Sequence, residues 1–408
     1  MIERTGLDSG LRVVTESLPG LRSVTLGAWV GSGARDETGA QWGASHFLEH
    51  LLFKGTATRT ALEIADTIES VGGEMNAFTT HEQTVFYVRV PDVHLERAID
   101  VLTDVVWNPA FRPEEVESER RVILEEIGMR DDTPDDLVHD LFGNAMYPEH
   151  PLGREVLGSE ASITEMDRDA IAQYHAAHYR PSNLVFAVAG NATHEQVLDL
   201  VSERTPAANG TRPERARPAV APNQARAVHQ RDTEQEHVVV GVRALSALDP
   251  DRYALTVLNQ VLGGGMASRL FQEIREKRGL AYSVFSYQAG FDDNGFLAIY
   301  TGTAPGRVDE ALDVIDTELG KLVRDGLTPD ELDKAKSHLT GSLTMSLETS
   351  ASRMRRIGRA EMVEGTVPSL DEIVGRIDGV EGPDVGRVIE RVLRDAPRTV
   401  AAVGPASL

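Results

Sequence analysis

Val24-Thr-Leu-Gly-Ala-Trp-Val30 reads as a strand, and the series of elements that follows it recurs two hundred residues later. After it come helical patterns through residues 40–54 and from Ala61 to Val71, then a strand pair around Ala77 to Val90. The helix Val93 to Val106 and a helix opened by Arg112-Pro113-Glu114-Glu115 complete the series. The run Glu236-His-Val-Val-Val-Gly-Val242 starts it again, with helices over 251–262 and from Ala267 to Lys277, strands over 281–302, and the helix Val308 to Asp325. A helix opened by Thr328-Pro329-Asp330-Glu331 closes it. In both openings a proline in the first turn is followed by acidic residues, as suits a helix N-terminus. This order predicts an α+β fold of two similar halves, each a largely antiparallel sheet with helices packed on one face. Between the halves, strand-like Leu184–Gly190 and helix-like His194–Arg204 give way to Thr205–Gln224, which carries Pro206, Pro213, Pro218 and Pro222 and no hydrophobic period. That stretch reads as a linker, so the expected domains are 1–204 and 225–408.

Composition narrows the chemistry. The 408 residues include 41% of the apolar class and 26% charged residues, a globular balance. No apolar stretch approaches the ~18 residues of a membrane span, and the opening MIERTGLDSG lacks the apolar core of a secretory signal, so no membrane association and a cytoplasmic location are expected. The net charge of −23 repels phosphate backbones, which argues against nucleic acid as a partner and favours cationic ligands. With no cysteine, any metal must be held by His, Asp or Glu.

Within the helical segment Trp42 to Lys54 lies His46-Phe47-Leu48-Glu49-His50. Residues four apart on a helix stand one above the other, so His46 and His50 can offer two imidazoles to one ion, with Glu49 bordering the same face. Two imidazoles, one carboxylate from elsewhere and an open fourth position make the site of a hydrolytic zinc enzyme. The helix beginning at Pro113 carries Glu114, Glu115, Glu117, Glu119, Glu125 and Glu126. Glu119 and Glu126 share a face, while Glu125 points about 100° away. Periodicity permits either Glu119 or Glu126 as the third ligand.

The run Gly43-Ala-Ser-His-Phe-Leu-Glu-His-Leu-Leu-Phe-Lys-Gly-Thr56 resembles the inverted zinc motif of the pitrilysin-type metallopeptidases, the inverzincins. Glu119 and Glu126, in Glu119-Arg-Arg-Val-Ile-Leu-Glu-Glu-Ile-Gly-Met129, fall where that family keeps its downstream glutamates. Gly263-Gly-Gly-Met-Ala-Ser-Arg-Leu-Phe271 and Ile274-Arg-Glu-Lys-Arg-Gly-Leu-Ala-Tyr282 match the family's glycine-rich segment and its Arg-x6-Tyr element. The resemblance covers essentially the whole chain, and the length is similar to that of the mitochondrial processing peptidase subunits and their bacterial homologues.

The resemblance implies one zinc ion per chain held by His46, His50 and Glu126, with Glu119 a supporting carboxylate and Glu49 the general base. It implies that Gly72-Gly-Glu-Met-Asn-Ala-Phe-Thr-Thr80 is an edge strand to which a peptide adds, through Asn76, Ala77 and Phe78. Glu82, nearby, is a candidate partner to a ligand histidine. Arg275 and Tyr282 are expected to bind substrate carbonyls and stabilise the oxyanion. Long relatives close a chamber from four such domains and this chain supplies two, so a homodimer completing each site in trans, and a peptide or unfolded substrate, are implied. A zinc endopeptidase is the leading expectation; the alternative is a non-catalytic scaffold of the same family, as in respiratory-complex core subunits. His175 and His178 have ligand-like spacing but no acidic partner at useful spacing after them, and are expected to pack at a helix end. His81, His139, His150, His194, His229 and His237 are scattered, and only the first half is expected to bind metal.

Overall fold

A computed structural model describes residues 1–207, 210–220 and 224–405. Residues 208, 209 and 221–223 of the proline-rich run, Pro222 among them, lie outside the described residues. The chain forms two compact units: Met1–Ile127 with Arg154–Ala216 and Ser346–Pro368, and Gly128–Gly153 with Arg217–Met345 and Ser369–Leu408. Each unit is an α+β layer built on one largely antiparallel sheet, the fold class expected from the sequence.

The first unit's strands are β1 (Ile2–Gly6), β2 (Arg12–Ser17), β3 (Ser23–Val30), β4 (Glu74–Thr79), β5 (Thr84–Pro91) and β6 (Leu184–Gly190), in the order β1-β2-β6-β3-β5-β4. Every pairing is antiparallel except β2 with β6. The second unit's strands are β7 (Arg226–Gln230), β8 (Glu236–Arg243), β9 (Ala281–Gly290), β10 (Gly295–Thr303) and β11 (Thr399–Gly404), in the order β7-β11-β8-β10-β9. Here again only one pair, β7 with β11, is parallel. Without β1 the two sheets have the same sequence of parallel and antiparallel neighbours, so the repeat read from the chain is a repeat of topology.

Strand alternation sends successive side chains to opposite faces. In the first unit Val24, Leu26, Ala28 and Val30 of β3 face one core with Phe86, Val88 and Phe186. The helices α1 (Ala44–Leu51), α2 (Ala61–Glu69), α3 (Leu95–Trp107) and α4 (Pro113–Asp131) cover that face. Trp29, Val85, Val185 and Ala187 line the other. Both faces are therefore apolar, and one helical layer cannot cover them. The second face is closed by the helix Ser350–Glu364, through Met354, Ile357 and Met362. The second unit has the mirror arrangement: α5 (Pro134–Met146), from the N-terminal half of the sequence, packs Val138, Phe142 and Met146 on β8, β10 and β11. Neither borrowed helix was anticipated, and the units differ by these exchanged segments from the contiguous halves 1–204 and 225–408.

The central strand of each sheet has a glycine beneath its borrowed helix. A Cβ on Gly27 would lie 2.5 Å from Met354 Sδ, and one on Gly241 2.4 Å from Phe142 Cζ. Charge fixes the Ser350–Glu364 helix as well. Glu16, 7% exposed, meets Arg353 at 2.5 Å and Arg356 at 3.2 Å, and Glu361, 3% exposed, meets Arg4 at 2.5 Å and Arg12 at 3.3 Å. Part of the proline-rich run is anchored too: Arg215 pairs with Asp36 at 2.8 Å and donates to the carbonyls of Gly31 and Glu82. The helix expected over 267–277 is wound as a π-helical turn, Phe271–Glu276. No helix among the described residues is long and apolar enough to cross a membrane.

Candidate metal centre

The helix α1 is only two turns long, and its buried stripe Ala44, Phe47, Leu48 and Leu51 seats it on the first core. That leaves His46, Glu49 and His50 on its half-buried side. The helix's start is fixed by Glu37, a buried residue whose carboxylate accepts the N–H groups of Gly43 and Ser45, each at 2.7 Å. Burial pushes the Glu37 carboxyl up to about 8, against the pull of those two N–H groups. Ser45 Oγ also meets Tyr174 Oη at 2.8 Å. Glu37 and Tyr174 carry no motif that sequence reading could have flagged, since they act through the fold.

Facing α1 is α4. Its Glu119 and Glu126, two turns apart, are on the side that meets the histidines, while Glu125 is exposed. His46 Nε2 lies 3.6 Å and His50 Nε2 3.5 Å from Glu126 Oε2. The ligand atoms of all three residues fall within 4.8 Å of one another, and among the described residues no other group of His, Asp and Glu does so. Ligands about 2.0–2.1 Å from a tetrahedral zinc ion are about 3.3–3.4 Å apart, so the two histidine–glutamate separations fit such an ion. Donor types agree: two imidazoles and one carboxylate suit zinc. The imidazole of His46 is held down at about 4, by burial first and by His50 second, so it is neutral and able to bind metal at pH 7.

Glu119, the other candidate left open by periodicity, is 4% exposed and meets His50 Nδ1 at 3.1 Å through Oε2. Its Oε1 meets Lys54 Nζ at 2.8 Å. Glu82 instead pairs with Arg35 at 2.7 Å and with Arg215 at 3.6 Å. Burial raises the Glu49 carboxyl above its usual range, while hydrogen bonds from the Thr79 hydroxyl and main chain, and the nearby His50, oppose the rise. Thr79 was not singled out from sequence; it ends β4, the strand that carries Asn76, Ala77 and Phe78.

β4 is an edge strand that, among the described residues, pairs only with β5. The exposed Ala77 N–H donates to Asn76 Oδ1 at 2.8 Å. Phe78 sends its ring to the sheet face away from α1, edge-on to Trp29 at 6.0 Å. Arg275 and Tyr282 belong to the second unit and lie together: Arg275 Nη1 donates to the Tyr282 carbonyl at 2.9 Å, and its guanidinium stacks over the Tyr282 ring at 4.4 Å. Tyr282 is 77% exposed. His175 and His178 are packing residues, as expected. His175 Nε2 bonds the Val106 carbonyl at 2.8 Å and His178 Nδ1 the Ser32 hydroxyl at 2.8 Å, with rings stacked on Tyr179 and Tyr174.

Comparison with known proteins agrees with this architecture. Residues 12–160 match the model of the insulinase family, peptidase family M16, and residues 165–339 match that of the peptidase M16 inactive domain. An uncharacterized zinc protease of Streptomyces coelicolor is 44% identical over 412 aligned residues, covering 99% of this chain and 90% of the relative. One from Bacillus subtilis is 40% identical, covering 93% of each. Among solved structures, a protease from Helicobacter pylori superposes with a TM-score of 0.92 at 24% identity over 99% of both chains, a likeness of fold. With a family model on each half and relatives of this identity along nearly its full length, the chain belongs to peptidase family M16.

Proposed function

We propose that this chain is a zinc endopeptidase acting on peptides or unfolded polypeptide segments. The observation that carries this reading is the convergence of His46 Nε2 and His50 Nε2 on Glu126 Oε2, at 3.6 and 3.5 Å, close to a tetrahedral edge, beside Glu49. These three residues would hold the ion. Zinc in such a site supplies Lewis acidity, which polarises a carbonyl and acidifies water. Glu49, steadied by Thr79, takes the proton of the attacking water and passes it to the departing amine. A carboxyl raised by burial suits a group that must both accept and return a proton near neutral pH.

Substrate in this reading lies along the free edge of β4, held by main-chain hydrogen bonds at Asn76, Ala77 and Phe78. That mode requires the Asn76 side chain to release the Ala77 N–H. Arg275 and Tyr282 bind substrate carbonyls and oppose the negative charge that develops on the scissile oxygen. Their stacking, together with the exposure of Tyr282, supports this role. In the proposed homodimer they serve the partner subunit's zinc site. The test is metal analysis of the purified chain together with cleavage of a quenched peptide before and after chelation. Bound zinc, loss of cleavage on chelation and recovery with added zinc are expected. Cleavage that survives complete removal of metal would sink the reading.

A further inference from the structure

Helix α1 and the turn after it present a basic group that neither the metal trio nor Glu49 accounts for. His46, His50 and Lys54 stand at intervals of four, the helix running on through the 3-10 turn Leu52–Lys54. Opposite them, in reverse order, stand Glu126 and Glu119 of α4. His46 Nε2 meets Glu126 at 3.6 Å. His50 meets Glu126 at 3.5 Å through Nε2 and Glu119 at 3.1 Å through Nδ1. Lys54 Nζ meets Glu119 Oε1 at 2.8 Å. The buried carboxylate thus divides its two oxygens between a histidine and an ammonium. His46 differs: its buried Nδ1 has no hydrogen-bond partner among the described residues, so of the two histidines it is His50 whose ring is set from behind.

We propose that Lys54 is a positioning residue for the metal centre. By holding Glu119 Oε1 it keeps Oε2 on the Nδ1–H of His50, and so directs His50 Nε2 at the ion. The inference rests on reading His46, His50 and Glu126 as the ligand set and extends that set outward by two residues. Groups behind a ligand histidine fix its tautomer and ring orientation. A buried carboxylate needs an opposite charge to stay in place, and a cation on one oxygen leaves the other to accept from the imidazole. Sequence spacing places Lys54 on the right face, and only the packing of α4 against α1 supplies its partner.

The test measures zinc affinity on the full chain by competition with a chromophoric chelator, beside urea unfolding of the metal-free protein. Lys54→Met should weaken zinc binding by about 10–100-fold, the usual effect of removing such support. Lys54→Arg, which keeps the charge, should restore most of it, and Lys54→Gln should fall between. A purely structural ion pair would lower the metal-free unfolding midpoint and leave zinc affinity alone. If Lys54→Met binds zinc as tightly as wild type, the inference is overturned while the ligand assignment stands. If wild type takes up no zinc, the ligand assignment falls and the inference with it. Should Lys54→Met fail to fold, the comparison of Gln with Arg decides: weaker zinc binding by Gln supports the role, and equal binding removes it.

Discussion

Substituting Gly358 by alanine sets two effects of known sign against each other. Gly358 lies within the borrowed helix Ser350–Glu364, and an exposed helix would gain about 0.5–1 kcal/mol from alanine there. A Cβ at this position, however, would sit 2.2 Å from Trp29 Nε1 and 2.4 Å from Trp29 Cε2. Trp29 is 3% exposed, lies in the central strand, and its Nε1 donates to Met354 Sδ at 3.4 Å, so the ring has nowhere to go. To reach ordinary contact near 3.5 Å the helix must back off by about 1 Å, loosening Met354 and Ile357 from the sheet. Overpacking of this kind costs about 1–3 kcal/mol, so against that gain Gly358→Ala should destabilise the first unit by a net of about 1 kcal/mol. The three tryptophans, Trp29, Trp42 and Trp107, all lie in that unit, so their fluorescence in urea follows its unfolding. A Gly358→Ala midpoint at or above wild type would show that the helix is not clamped on Trp29 as described.

Further expectations concern the site. Glu49→Gln should bind zinc as wild type does and lose roughly 10²–10⁴-fold in turnover, because no ligand is removed but proton transfer is; zinc loss in that variant would make Glu49 a ligand instead. His46 is held at about 4 when folded and rises to about 6.5 when unfolded, so the unfolded chain binds the proton first. Metal-free protein should therefore lose up to about 3 kcal/mol as pH falls from about 6.5 to 4, and a urea series with His46→Asn as reference should show the difference; parallel profiles would refute it. Glu37 has the opposite sign. Its carboxyl ionises near 8 folded and near 4.5 unfolded, so its contribution is lost as pH rises through that window, and Glu37→Gln should gain on wild type from pH 5 to 8. Mixing Glu49→Gln with Tyr282→Phe should restore part of the activity if sites are shared between subunits, and none if they are not, given proven subunit exchange.

Short-range periodicity is legible in a sequence because a helix has one geometry. The pair His46 and His50, and the shared face of Glu119 and Glu126, follow from intervals of four and seven, and the repeat of strands and helices follows from patterns within each half. What periodicity could not do was rank the two glutamates. By itself it allowed either as a ligand, and the packing of α4 on α1 put Glu126 between the two Nε2 atoms and Glu119 behind His50. The same holds for His175 and His178, whose spacing looks ligand-like until burial ties them to Val106 and Ser32. Glu37 precedes the zinc motif and Thr79 closes the edge-strand run without being marked by it, and their roles arise where loop and strand end come to rest. The borrowed helices were the largest omission. Alternation along β3 makes both sheet faces apolar, but which helix covers the second face depends on a long-range fit of Met354 and Ile357 into a glycine-floored surface, a matter of tertiary packing that no local pattern records.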